Sequence, residues 1–357
     1  MTQIKIIDAP VVDGSTDKIV KRLQEFLVRI RAANLTNKDE LTENDAPEEV
    51  DELSYSDQRR IVGRSTKLLK ARLAAAGLSH LKKEEYARLE PSLAGMRIVM
   101  AKGVDWADEV AASLHDEMPW MGPATEHLWH SLRLSAERGE ALTIRPVILN
   151  GPPGIGKSVW ARTVARSLSL PGLDIDASKG GAGMALVGVE RGWGTALAGR
   201  PIDLLLASRI ANPLIVVDEV CKAQTAVSTR GSVHAFADAL LSLLEPATAK
   251  KWECPYFRVR FDMSHISWVL TSNTIGNVPE PVRSRCQIVE IPDVTTQQLQ
   301  DFAIRKGAHL GLSVAGVDAV VMAIAQAPHV TGRRFCLRDA MRMLERAEML
   351  EGRPRLQ

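Results

Sequence analysis

Residues 151–158 read GPPGIGKS. An octet this rich in glycine and polar side chains cannot pack into a core, but its spacing suits phosphate chemistry. The glycines let successive backbone N–H groups turn inward around phosphate oxygens, and a helix starting just after them adds its positive end. Lys157 then reaches the outer phosphates, and the hydroxyl of Ser158 takes one coordination position on Mg²⁺. Gly151, Pro152, Pro153, Gly154, Ile155, Gly156, Lys157, Ser158 and Val159 are therefore the candidate nucleotide-binding residues, with ATP and Mg²⁺ the implied cofactors. Hydrolysis needs further groups, and LIVVDE (214–219) supplies two at a strand end. Asp218 would hold Mg²⁺ together with Ser158, and Glu219 would polarise the attacking water. Asn273 closes ISWVLTSN (266–273) and offers an amide to the γ-phosphate or the water. Arg285, in PEPVRSRCQIVEI (279–291), precedes a strand at the rim of the fold, where a cation serves a neighbouring protomer's nucleotide better than its own. Arg283 competes for that role, and a surface salt bridge is the alternative for either arginine.

Such groups need elements to present them. The apolar runs VILN (147–150), LDID (173–176), LIVVD (214–218), ISWVLTSN (266–273) and QIVEI (287–291) alternate with helical stretches. That pattern predicts an α/β fold whose five-stranded parallel sheet is covered on both faces. After Pro292 the periodicity is helical to residue 357, which suits a small lid. The expected organisation is a helical N-terminal region over 1–115, an α/β nucleotide-binding core over 116–292 and a helical lid over 293–357. In the first region Ile19, Leu23, Phe26, Leu27 and Ile30 share one face of a helix over 16–31, with Ser15 or Thr16 as cap. Further helices are expected over 56–76, ended by Gly77, over 81–90 before Pro91, and over 104–116. This region carries no chemical motif and no repeat; partner or substrate selection is its expected task.

Composition narrows the field. The chain has 357 residues, 45% hydrophobic and 25% charged, which is ordinary for two or three compact units. Its net charge of +2 steers nothing over long range. Charge is uneven, however: TNKDELTENDAPEEVDE (36–52) is acidic, whereas Arg59, Arg60, Arg64, Lys67, Lys70 and Arg72 gather over 57–72. A solvated connector followed by a basic helix face is the plain reading, and a nucleic-acid or acidic-protein contact the alternative. Cys221, Cys254, Cys286 and Cys336 lie far apart, without the spacing of a zinc site or a disulfide framework. No run approaches the roughly eighteen apolar residues that span a bilayer, and MTQIKIIDAPVVDG has no secretory core. Cytoplasm, without membrane partners, is the expected location.

With a P-loop, a DE strand end, an Asn strand end, a rim arginine and a helical tail in this order, the chain resembles an AAA+ ATPase. More narrowly, residues 115–345 resemble the ATPase module of the Lon proteases. The phrases that carry this are GPPGIGKS, ANPLIVVDEVCKA (211–223), ALLSLLEPATAKKWECPYFRVRFDMSHISWVLTSNT (239–274) and VPEPVRSRCQIVEI (278–291). The resemblance implies Walker A roles for Lys157 and Ser158, and Walker B roles for Asp218 and Glu219. It also implies sensor 1 for Asn273 and the arginine finger for Arg285, and VRSRC is similar to the SRC motif of clamp loaders. In VTGRRFCLRDAMR (330–342), Arg334 is the implied sensor-2 arginine, with Arg333 its alternate, coupling nucleotide state to lid angle. PWMG (119–122) falls where such modules form part of the adenine pocket.

Two departures matter. Lon proteins carry a C-terminal serine–lysine protease domain, whereas this sequence runs to Gln357 just after the lid, so peptide-bond cleavage is not expected of it. The Lon pattern also has a pore-facing tyrosine several residues before a Gly-Arg or Gly-Lys step. In VERGWGTALAGRPIDLL (189–205), Trp193 falls nearest that place. An indole between Gly192 and Gly194 reads either as a mobile grip on a threaded polypeptide or as a side chain packed on its own subunit. The Gly-Trp-Gly setting favours the grip. The resemblance thus implies a homohexameric ring that hydrolyses ATP to remodel, unfold or translocate polypeptide substrates, to which a separate protease or effector could dock. Only LGL (310–312) resembles a protease-docking tripeptide, and Gly311 there reads better as a helix C-cap. KAQTAVSTRGSVHAF (222–236) is either a second pore loop, with Arg230 and His234 at its tip, or a connector. Two other classes stay open. A nucleic-acid-associated ATPase is motivated by the SRC-like rim and the basic face; a nucleotide-gated scaffold is opposed by the full set of Lys157, Asp218, Glu219 and Arg285.

Overall fold

The computed structural model describes residues 2–12, 16–36, 53–192, 194, 196–223, 225–227, 233–331 and 335–352. The chain divides into two compact units, one of Ile7–Ala94 and one of Met1–Ile6 with Gly95–Gln357. No described helix is long and apolar enough to cross a membrane.

The first unit contains α1 (Thr16–Thr36), α2 (Tyr55–Ala75) and α3 (Lys83–Leu93). A capping box starts α2: the Ser54 hydroxyl accepts from the backbone N–H of Asp57, and the Asp57 carboxylate accepts from that of Ser54. The same carboxylate takes a 2.8 Å bond from Arg31 on α1, which ties the two helices together. The Ser54 hydroxyl and the Arg31 guanidinium hold the Asp57 carboxyl below its ordinary range. The apolar face expected on α1 is only partly covered: Ile19 is buried, but Phe26 is 57% exposed. A second departure concerns α3, which runs through Pro91 to Leu93 rather than stopping before it. Proline removes one ladder bond and crowds the preceding turn; burial of Leu89 and Leu93 on the same helix outweighs that penalty.

In the second unit, five strands form the sheet: β1 (Val147–Asn150), β2 (Gly172–Asp176), β3 (Leu214–Asp218), β4 (Ser267–Ser272) and β5 (Gln287–Glu290). Their order is β5-β1-β4-β3-β2, and every pairing is parallel. Parallel strands with both faces covered read as continuous apolar runs, as β3 and β4 do. β4 is buried at all six positions, whereas β2, at one edge, buries only Ile175. The register aligns Ser272 and Glu290 with Asn150, and Asp176 with Asp218, so the polar strand ends share one edge of the sheet.

Helices α4 (Val104–Glu117), α5 (Gly122–Arg138), α6 (Lys157–Ser167), α7 (Ala182–Val187), α8 (Arg200–Ser208) and α9 (Phe236–Leu244) surround this sheet. The lid comprises α10 (Thr296–His309), α11 (Val314–Thr331) and α12 (Leu337–Glu351). One apolar cluster joins lid and core, since Leu299, Ala303, Leu337 and Leu344 pack with Leu128, Val147, Trp160 and Val216. In the expected insertion, Thr225–Val227 pairs antiparallel with Val233–Ala235; Arg230 and the His234 side chain lie outside the described residues.

Asn212, fully buried, anchors the start of β3. Its Oδ1 accepts from Val99 N, and its Nδ2 donates to Val99 O and Leu142 O, each at 2.9 Å. Replacing it by alanine removes the side-chain partner of Val99 N and of Leu142 O, while Val99 O keeps a bond from Leu142 N. Asn212→Ala should lower the stability of this unit by about 3 kcal/mol, read as a lower urea midpoint with unchanged slope.

Candidate functional site

The octet 151–158 links β1 to α6 at the polar edge of the sheet. Its glycines are there for room and for dihedral angles. A Cβ on Gly151 would lie 2.6 Å from Ile291 O, and one on Gly154 (φ +80°) 2.6 Å from Cys336 Sγ. Gly156 sits left-handed, at φ +89°, directly before the first residue of α6. The resulting cradle has room for phosphate oxygens and for no side chain.

Lys157 is 6% exposed and lies among polar atoms from three sources. Its Nζ donates to Gly151 O at 2.6 Å, Pro152 O at 2.8 Å and Asn273 Oδ1 at 2.9 Å. Burial pushes the ammonium down to about 8, against the opposing pull of Asp218, Cys221 and Glu219. Ser158, the second residue of α6, donates from Oγ to Oδ1 of Asp218 at the end of β3, at 2.7 Å. A hydroxyl and a carboxylate converging in this way are hard oxygen donors, which fits Mg²⁺ held jointly with phosphate oxygens. Thr271 on β4 donates from its hydroxyl to the same Asp218 oxygen and accepts from Glu219 N at 3.0 Å. Thr271 was missed by sequence reasoning, because a threonine within a buried strand looks like ordinary strand composition.

Glu219 adopts a left-handed backbone, φ 55° and ψ 43°, bending the chain sharply as β3 ends. Its Oε1 receives Lys222 Nζ at 2.8 Å. That contact raises the pKa of Lys222, first through the hydrogen bond to Glu219 and then through its charge. Cys221 packs under Asn273, whose N–H donates to Cys221 Sγ at 3.4 Å. Desolvation pushes this thiol up, but N–H groups of Asn273 and Thr274 and the Ser272 hydroxyl pull harder, and the net shift is down.

These groups open onto a cavity of about 910 Å³ whose far wall comes from the lid. Met118 and Trp120 line one side, with Trp120 Nε1 donating to Ile155 O at 2.9 Å. The Trp120 ring meets Phe302 of α10 edge-on, centroids 6.1 Å apart. This apolar pair, whose Trp120 belongs to the PWMG stretch, suits a flat base. Phe302, Arg305, Lys306 and His309 line the cavity from one face of α10, and Arg338 and Met341 from α12. Arg305 also donates to the backbone carbonyls of Asp116 and Glu117. The i, i+3, i+4, i+7 spacing on α10 was the readable signal for these lid cations. A smaller cavity of about 630 Å³, lined by His127, His130 and Gln287 among others, contains none of the phosphate-site groups.

Arg285 stands apart from Lys157. It immediately precedes the strand-start region of β5, with its side chain 34% exposed and paired to Glu245 at 3.1 Å. Arg283 turns to Glu280. Trp193, Arg333 and Arg334 lie outside the described residues. The chain at Gly188–Val189 lies close against Leu197: Gly188, at φ +90°, would place a Cβ 2.6 Å from Leu197 O, and Val189 N donates to Leu197 O at 2.9 Å. Gly311, at φ +72°, turns the chain just after α10.

Residues 147–293 match the family described as "ATPase family associated with various cellular activities (AAA)". The chain is similar to the peroxisomal Lon protease homolog 2 of Oryza sativa subsp. indica, 28% identical over 197 residues, covering 55% of this chain and 22% of that protein. It is also similar to Lon protease 2 of Bdellovibrio bacteriovorus, 26% identical over 312 residues, covering 79% of this chain and 35% of that protein. The chain therefore spans well under half the length of these curated relatives. A solved structure of a RuvB variant of Thermotoga maritima aligns over 62% of this chain and 68% of its own, with 18% identity and a TM-score of 0.37. A likeness that loose bears on nothing further.

The lowered Lys157 pKa has a measurable consequence. Folding depresses this pKa from 10.5 to about 8, so the charged lysine penalises the native state at lower pH and the penalty fades as pH rises between those values. A polyphosphate beside Nζ favours the charged form, so binding at pH above about 8 must draw in a proton. ATP affinity should be flat below about pH 7.5 and weaken above about pH 8, with proton uptake seen by calorimetry in buffers of different ionisation enthalpy. Lys157→Met should remove that uptake.

Proposed function

We propose that residues 147–293, which match the AAA family and are similar to the ATPase module of Lon proteases, bind and hydrolyse MgATP in a ring of identical protomers. The observation that carries the reading is the convergence of Lys157 Nζ, the Ser158–Asp218 pair and Asn273 at the ends of β1, β3 and β4, within one cavity. Lys157 exchanges the carbonyls of Gly151 and Pro152 for phosphate oxygens. Ser158 and Asp218 would hold Mg²⁺, which would supply charge neutralisation for the phosphates. Thr271 fixes the carboxylate of Asp218 and the backbone of Glu219. Glu219 takes the proton of the attacking water, its carboxylate first leaving Lys222. Asn273 orients the water or the γ-phosphate. Arg285, on the rim, completes the site of the adjacent protomer, and Arg334 or Arg338 contacts the phosphates from the lid.

The output we propose is mechanical work on polypeptide, supported by the similarity to Lon proteases and by the sequence setting of Trp193 between Gly192 and Gly194. The exposed basic side chains Arg59, Arg60, Arg64, Lys67 and Lys70 on α2 support a second reading, in which nucleic acid is the polymer. Glu219→Gln should lower kcat for ATP by about a hundredfold or more while leaving nucleotide affinity nearly unchanged. An unfolded polypeptide should stimulate wild-type turnover and lose that effect in Trp193→Ala. Stimulation by DNA instead, weakening steeply with salt, would favour the second reading. Full turnover by a monomer in saturating MgATP would defeat the ring.

A further inference from the structure

Arg285 is held from two sides within its own chain. Its Nε donates to Glu245 Oε2 at 3.1 Å and its Nη1 to Pro281 O at 2.9 Å. Among the described residues, Nη2 has no hydrogen-bond partner. The mount is stiff. Glu245 directly follows α9 and precedes Pro246, which confines it to extended backbone, here φ −80° and ψ 116°. α9 packs against the short helix Glu280–Arg283, and Arg285 N donates to Val282 O at 3.2 Å, so both ends of the pair rest on packed elements. Arg283, by contrast, is committed to Glu280.

We propose that Glu245 is a positioning residue for ATP hydrolysis. It grips the inner edge of the Arg285 guanidinium and leaves Nη2 to donate to the γ-phosphate in the next protomer's site. The inference rests on the finger reading of Arg285 given above. A donor already in place when charge develops needs no reorganisation at the moment of reaction, whereas a loose arginine must first surrender its rotamer freedom. Nucleotide binding is the work of the other protomer's Lys157 and Ser158, so loss of Glu245 should act on kcat and spare KM.

The experiment is steady-state ATPase kinetics on the full chain. Glu245→Ala should lower kcat about tenfold with KM for ATP within about twofold. Glu245→Gln, which keeps an acceptor for Nε–H, should retain most of the activity. In an Arg285→Ala background, Glu245→Ala should cost nothing more. Mixing supplies the decisive readout: Lys157→Ala protomers cannot turn ATP over but carry an intact Glu245–Arg285 pair. Added to Glu245→Ala protomers, they should raise turnover per Glu245→Ala site, because the neighbour brings the finger. The Glu245→Gln protein is read in the same assay should the alanine variant fail to fold. An equal loss in the Arg285→Ala background, no rescue on mixing, or faster turnover by Glu245→Ala would overturn the role of Glu245. Wild-type turnover by Arg285→Ala would instead overturn the finger itself, and the proposal with it.

Discussion

A buried ammonium tolerates few surroundings, and Lys157 dictates much of what lies around it. With its side chain nearly out of water, each N–H must find an oxygen, and those oxygens come from the loop before it and from the end of β4. That second source is available only because β4 lies between β1 and β3 in the sheet. An order that followed the sequence would leave Asn273 far from the loop and strand the lysine. The charge and the crossover topology are therefore one constraint. The site lies where strands adjacent in space are distant in the chain, as is usual for open parallel sheets.

The same loop binds the lid to the core. Gly154 lies against Cys336, and Gly156 against Leu337, the residues that open α12. A Cβ on Gly154 would collide with Cys336 Sγ, and one on Gly156 would press on Leu337 Cδ1, so the loop backbone packs directly on the side chains that open α12. A change in loop geometry therefore reaches the lid through these two side chains. The opposite wall is bound in its own way: Phe302 rests on Trp120, and Arg305 holds the carbonyls that end α4. The lid is thus fixed to the core on both sides of the cavity, by contacts that a nucleotide would also touch.

How much of this was legible in the sequence depends on how local the signal is. GPPGIGKS and LIVVDE announce themselves, because glycine dihedrals and buried apolar runs are properties of neighbouring residues. The five strands follow for the same reason, to within a residue or two at the ends. Thr271 was not legible, because its importance comes from sitting opposite Asp218 on another strand. On α10 the spacing puts Arg305 on one face but does not say that this face lines a cavity, and Arg338 was hidden because a basic helix face ordinarily meets solvent. Pro91 misled in the other direction: a local rule predicted a helix end, and burial of Leu89 and Leu93 overrode it. Phe26 shows the limit of periodicity, which places residues on one face without saying what covers that face.

The two groups assigned to hydrolysis are each engaged by an opposite charge of their own chain, Glu219 by Lys222 and Arg285 by Glu245. All four side chains are between 34% and 55% exposed, so water and salt screen both pairs. Pairs this exposed add little to stability, yet they restrict where each side chain can go. Their chemistry differs. Lys222 occupies Oε1 of Glu219, an acceptor that the attacking water would otherwise use. Glu245 takes only the inner edge of a delocalised cation that cannot lose its proton, and so leaves its charge available. One contact therefore restrains its partner and the other presents it. Lys222 and Glu245 also bracket a single stretch of chain, which includes the Thr225–Val227 and Val233–Ala235 pair and α9. The partners of both groups are therefore carried by one stretch of chain between β3 and β4.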